Sequence, residues 1–184
     1  MPQDTDRLIV VTGGPGAGKT SLIEALAAAG HKVRREAGRA VIRDQQALGG
    51  RGLPWVDPGL FAELMLAEDL HNHAEALAGQ GVSFFDRGLP DIAGYLTLCG
   101  LPIPDAVERA AQQLRYRRTV FIAPPWREIF AQDAERKQDF AEAERTYATM
   151  AETYPRYGYA LVELPRASLA ERVAFVLGYG AAES

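Results

Sequence analysis

Short apolar runs alternate with longer amphipathic stretches along this chain. Residues 8–12, 32–35, 82–86, 119–123 and 159–163 are rich in β-branched and aromatic side chains, which suits strands buried on both faces. A helix is expected over 19–29, closed by Gly30. Asp57-Pro58 supplies an N-cap and a first-turn proline for another helix running to about residue 77, which Gly79 and Gly81 then end. Phe140, Ala143, Tyr147, Met150 and Tyr154 recur at three and four residues, predicting a helix over 137–154 whose stripe reads as core. Ser168-Leu169-Ala170-Glu171 is a capping box, and behind it Leu169, Val173, Val176 and Leu177 are expected to share a core-facing side. Strands alternating with helices predict an α/β fold, a parallel sheet covered by helices.

At 184 residues the chain is read as one domain, 1–184. A net charge of −4 removes bulk attraction to nucleic acid or anionic lipid, so neither is expected as a partner. No run approaches the roughly 18 apolar residues needed to cross a bilayer. The start, Met1-Pro2-Gln3-Asp4-Thr5-Asp6, does not resemble a secretory signal, so a cytoplasmic protein without membrane contact is expected. Cys99 has no second cysteine to pair with and reads as a small buried hydrophobe. His71 and His73, two apart on a predicted helix, do not share a face for a metal.

Chemistry enters at Gly13-Gly14-Pro15-Gly16-Ala17-Gly18-Lys19-Thr20, which fits G-x-x-x-x-G-K-[ST] between a predicted strand and a predicted helix. Backbone amides must converge on phosphates there, and side chains at the glycines would obstruct the approach or strain the turn. The helix dipole, the Lys19 ammonium and the Thr20 hydroxyl then serve the phosphates and their Mg²⁺, so ATP·Mg²⁺ is the expected ligand, with residues 13–20 and Ser21 around it.

Asp86 ends the third predicted strand and is expected to share the metal with Thr20; a helix or turn cap is its alternative. Arg87 faces either the transferring phosphate or solvent. Glu36, after the second strand, can take the proton of an acceptor hydroxyl, or pair at the surface with Arg39 one turn on. The charged stretch after the fourth strand reads either as a lid over about 125–140, with Arg136 and then Arg127 reaching the phosphates, or as a solvated helix. Arg115, Arg117 and Arg118 precede the fourth strand, at the edge away from the phosphates, and read as a solvated face. Asp91 and Tyr95 either line the substrate pocket or serve capping and packing. The segment from Gly49 to Trp55 either closes over substrate, with Trp55 stacking, or is a plain surface loop.

With these residues in hand, nearly the whole chain resembles small bacterial P-loop ATPases of the AAA-domain kind that are kinase-like in build. The landmarks are residues 13–21 and 85–88, Pro124-Pro125-Trp126, Asp133 and Arg136, and Tyr157-Gly158-Tyr159. More distantly it is similar to deoxynucleoside kinases and to the ribosylnicotinamide kinase domain. The resemblance implies a three-layer α/β/α P-loop NTPase fold with a five-stranded parallel sheet of order 2-3-1-4-5 and a lid. It also implies a base after the second strand, matched by Glu36, and an acidic-Arg-Ser step after the third, where this chain has Asp86-Arg87-Gly88.

Two functions follow. One is a phosphotransferase moving the γ-phosphoryl of ATP to a hydroxyl of a small nucleoside- or sugar-like acceptor. The other is an ATPase switch serving a protein partner. The length argues against an AAA+ motor, and the lack of N-K-x-D argues against a GTPase. A homodimer is left open.

Overall fold

The computed structural model describes residues 5–130 and 138–181. Five strands form one parallel sheet in the order β2-β3-β1-β4-β5, as the resemblance implied. They are β1 (Leu8–Gly13), β2 (Lys32–Arg34), β3 (Ser83–Asp86), β4 (Thr119–Ala123) and β5 (Ala160–Glu163). All five lie where the apolar runs predicted, within two residues at each end. The central strands β1, β3 and β4 are buried throughout, which is why they read as continuous apolar runs.

The helices are α1 (Lys19–Ala28), α2 (Ala37–Leu48), α3 (Pro58–Ala78), α4 (Leu89–Leu98), α5 (Asp105–Gln113), α6 (Phe140–Arg156) and α7 (Leu169–Ala181). Alternation along β1 sorts them into two layers. Ile9 and Val11 pack with Leu22, Ile23 and Leu26 of α1 and with Val176 of α7. Leu8 and Val10 face the other way, into a larger core with α2 to α6. No helix among the described residues is long and apolar enough to cross a membrane.

Local signals held where they were strong. Asp57 accepts a hydrogen bond from the Leu60 amide at 3.0 Å, and Ser168 and Glu171 form the reciprocal cap of α7. The α7 face matches expectation in part: Val173 and Val176 pack on the α1 layer, whereas Leu169 and Leu177 are exposed and Arg172 and Tyr179 join the packed side. Arg172, Val176 and Tyr179 stand four and three residues apart, so the packed stripe is rotated slightly from the one hydrophobicity alone selected and includes an arginine.

The fold opens a crevice where it is needed. The chain leaves β1 toward one layer, through α1, and leaves the adjacent β3 toward the other, through α4. The two loops diverge at the carboxyl edge, the place where open α/β sheets hold ligands.

Candidate active site

The loop after β1 wraps into a cradle. Gly18 sits at φ 79°, in the left-handed region, and a Cβ there would come within 2.6 Å of the Arg172 guanidinium. At Gly14 a Cβ would run into the backbone of Ala143 in α6, so that glycine lets loop and helix touch. Lys19 opens α1 and is 5% exposed; its Nζ donates to the Gly14 carbonyl at 2.5 Å. Burial, aided by Arg87 and opposed by Asp86 and Glu36, pushes its ammonium down to about 7. Ser21 is exposed in the first turn of the same helix.

β3 delivers Asp86 level with Val11 of β1. The Thr20 hydroxyl donates to Asp86 Oδ2 at 3.1 Å, bringing together the two residues expected to share a metal. The other oxygen, Oδ1, is buried with no hydrogen-bond partner among the described residues. A bare carboxylate oxygen beside a hydroxyl is a donor set that suits Mg²⁺, so the residues fit that ion. Without a cation, burial and Glu36 push the Asp86 carboxyl above its ordinary range, against Lys19 and Arg87.

Arg87 adopts φ 70°, rare for a residue with a side chain, and its amide donates to Val11 at 2.9 Å. Such backbone costs roughly 1–3 kcal/mol and persists only where the surroundings hold it. Here the hold is Asp91, whose Oδ1 accepts from Arg87 Nη1 at 2.9 Å and from Thr12 Oγ1 at 2.6 Å. Asp91 Oδ2 accepts from the Gly88 amide at 2.9 Å and the Tyr154 hydroxyl at 2.6 Å. Asp91 therefore joins β1, the β3–α4 turn and α6. The capping role weighed for it is real, and it reaches the cavity as well.

Glu36, at the N-cap of α2, is 6% exposed; it pairs with Arg39 at 3.2 Å and with Arg87 at 3.5 Å. The pairing with Arg39 exists, and the surface position does not. Glu36 and Arg87 instead line a cavity of about 650 Å³ next to the loop at Pro15. Phe61, Met65, Ile92 and Met150 supply its apolar wall, Glu142 and Thr146 of α6 another side, and Trp55, 56% exposed, its edge. Trp55 and Tyr95 both line the cavity; Tyr95 also packs against the core, edge-on to Phe61 at 5.4 Å between centroids, so both of its weighed roles are met.

Cys99 is exposed and also lines the cavity, against the expectation that it is buried: α4 ends there, and its last turn runs past the core. Arg127 is exposed and stacks on the Phe140 ring at 4.0 Å, away from the cavity lining. Arg136, with residues 131–137, lies outside the described residues.

Two groups were not found by sequence reasoning. Arg172 of α7 is 3% exposed, and both terminal nitrogens donate to the Ala17 carbonyl at 3.1 Å, bracing the phosphate loop from behind. Its signal was the spacing of four from Val176. Asp69 of α3 is 7% exposed and lines the cavity; it occupies a slot in the stripe Phe61, Met65, Asp69, His73 where a hydrophobe belongs.

The sequence pattern of the AAA domain matches residues 8–172, from the start of β1 into α7. The chain belongs to the AAA domain family. None of the curated proteins matches this AAA domain chain in sequence. Among solved structures it is similar to a deoxyadenosine kinase from M. mycoides with the products dcmp and a flexible dcdp bound, at 13% identity and TM-score 0.64, covering 96% of this chain and 100% of that one. It is also similar to the NadR protein in complex with NR, at 17% identity and TM-score 0.69, covering 98% of this chain and 52% of that one. A shikimate kinase from Acinetobacter baumannii in complex with shikimate follows, at 13% identity and TM-score 0.59, covering 96% and 94%. The AAA domain here thus has the α/β P-loop kinase-like fold.

Proposed function

We propose that this AAA domain protein is an ATP-dependent phosphotransferase that moves the γ-phosphoryl group of ATP to a hydroxyl of a small, nucleoside- or sugar-like molecule. The observation that carries the reading is the cavity itself. It is walled by apolar side chains, opens beside the phosphate loop, and carries Glu36 and Arg87 at that junction. A hydrolysis switch needs only room for water there.

Residues 13–20 would hold the triphosphate by their amides, with Lys19 exchanging the Gly14 carbonyl for phosphate oxygens. Thr20 and Asp86 would hold Mg²⁺, which neutralises charge on those oxygens. Arg87, fixed by Asp91 and Glu36, presents a permanent positive charge at the same edge. Burial opposes that charge and the surrounding carboxylates outweigh it, so the guanidinium is held protonated more firmly than usual. Glu36 orients the acceptor hydroxyl and takes its proton as the oxygen attacks phosphorus and ADP leaves. Arg136 and Arg127 remain candidates for a lid contact to the phosphates.

ADP release is to be measured against a pooled metabolite library with Mg²⁺ and ATP, Lys19→Ala serving as blank. Acceptor-dependent release in the wild type, lost in the variant, is expected. ADP release independent of every metabolite but stimulated by a cellular protein would replace the reading with the switch, and absence of any heat on mixing with Mg·ATP would refute both.

A further inference from the structure

The cavity has an uneven chemistry. Among the described residues lining it are four carboxylates, Glu36, Asp69, Asp91 and Glu142, and one guanidinium, Arg87. That guanidinium is already bound by Asp91 and Glu36. A ring bearing phosphate or carboxylate would therefore bring a further anion beside Glu36, Asp91 and Glu142 with no uncommitted guanidinium on the described wall. In a cavity partly shielded from water such a juxtaposition weakens binding.

Asp69 sharpens this. Phe61, Met65 and Asp69 stand at i, i+4 and i+8 on α3, so they form one continuous wall. The strongest charges acting on Asp69 come from Asp91 in α4, Glu36 before α2 and its own neighbour Glu68. Burial and those three carboxylates push its carboxyl well above the ordinary range, which favours the protonated form before a ligand enters. A cationic ring set beside it offsets both effects and restores the carboxylate, so cation binding and ionisation of Asp69 are coupled. A leucine in this slot would continue the stripe at no such cost. A buried carboxyl kept there at the expense of stability is a feature that ligand recognition explains and packing does not. The rest of the wall suits a flat ring: Phe61 and Tyr95 meet edge-to-face, and Trp55 stands at the edge. The cavity, about 650 Å³, is also larger than a lone sugar fills.

We propose that Asp69 is the specificity-determining residue of the acceptor cavity, selecting a flat heterocyclic ring that presents positive charge or N–H donors and rejecting rings that themselves carry phosphate or carboxylate. The inference rests on the phosphotransferase reading for the attached hydroxyl, which faces Glu36 and Arg87, but ring recognition is measurable without transfer.

The probes are matched pairs: adenosine with its ring-cationic derivative 1-methyladenosine, and uridine with its ring carboxylate orotidine. Binding to the whole protein is followed by calorimetry, with turnover read separately as ADP release. The wild type should bind the cationic ring at least roughly tenfold tighter than its neutral parent and the ring carboxylate at least roughly tenfold more weakly than its own. Asp69→Asn, which conserves shape, should erase the cation preference while holding the neutral nucleoside within about threefold. Binding of orotidine as tightly as uridine, an intact cation preference in Asp69→Asn, or no binding by either pair overturns the proposal. The expected binding pattern without ADP release leaves the Asp69 assignment standing and overturns the phosphotransferase reading instead.

Discussion

Asp91 offers the most direct test of how the site is held. Its two oxygens accept four hydrogen bonds, from Thr12, Arg87, Gly88 and Tyr154, in a side chain of a residue that is 5% exposed. Asp91→Asn keeps the shape but turns one acceptor into a donor. Placed at Oδ2, the new NH₂ can donate to the Tyr154 oxygen once that hydroxyl rotates, but the Gly88 amide is stranded. Placed at Oδ1, it can be accepted by Thr12 in the same way, but Arg87 loses its bond and a countercharge. Either orientation strands one buried N–H that cannot rotate away, costing about 1–3 kcal/mol, and loses charge-assisted bonds worth a similar amount. About 3 kcal/mol of stability should vanish, a large part of the roughly 5–15 kcal/mol typical of a domain. Tyr154→Phe alone should cost about 1–2 kcal/mol, and the double variant less than the sum, because the two share one bond. Urea unfolding of the four proteins at pH 7.5 measures all three terms. A loss below about 1 kcal/mol in Asp91→Asn, or strict additivity, would mean the junction does not hold the β3–α4 turn as described.

Glu36→Gln should leave ATP affinity within about twofold and lower kcat by roughly 10² to 10⁴ once an acceptor is found; a loss under tenfold makes Glu36 a positioning group. Arg172→Met keeps the aliphatic stem but removes both bonds to the Ala17 carbonyl, so Mg·ATP should bind at least roughly tenfold more weakly, read by calorimetry. Unaltered affinity would make that brace irrelevant to nucleotide binding. Asp69 gives a pH signature. Its folded carboxyl titrates above the unfolded one, so the folded state holds more protons in the interval between and stability falls as pH rises through it. Asp69→Asn should therefore melt higher than the wild type at pH 7.5, with the gap shrinking toward pH 4; a constant gap across that range contradicts the raised carboxyl.

Much of the site was legible because its parts are local. The glycines of the phosphate loop, Lys19 and Thr20 lie within eight consecutive residues, and strand ends put Glu36 and Asp86 at one edge. The helices not anticipated were α2, α4 and α5. In α4, Leu89 to Leu96 is buried at nearly every position, with Gly94 in its middle packed against Met150, so no amphipathic period could announce it. In α2 and α5 a helical period was present, through Ala37, Gly38, Val41 and Ile42 in one and Val107, Ala110 and Ala111 in the other. Each stripe is short and at least half of it is alanine or glycine, so the large apolar positions are too few to stand out from a loop.

The sequence by itself determined the alternation of strands and helices, the phosphate cradle and the carboxylates at the strand tips. These depend on neighbours within a few residues, through backbone conformation, capping and the two periodicities. Only the tertiary structure decided what stands opposite what: Arg172 behind Ala17, 155 residues away along the chain, Tyr154 on Asp91, and Asp69 facing the cavity rather than solvent. A side chain's burial, and therefore its charge and hydrogen bonding, is set by elements distant in sequence that pack around it, and no local pattern carries that information.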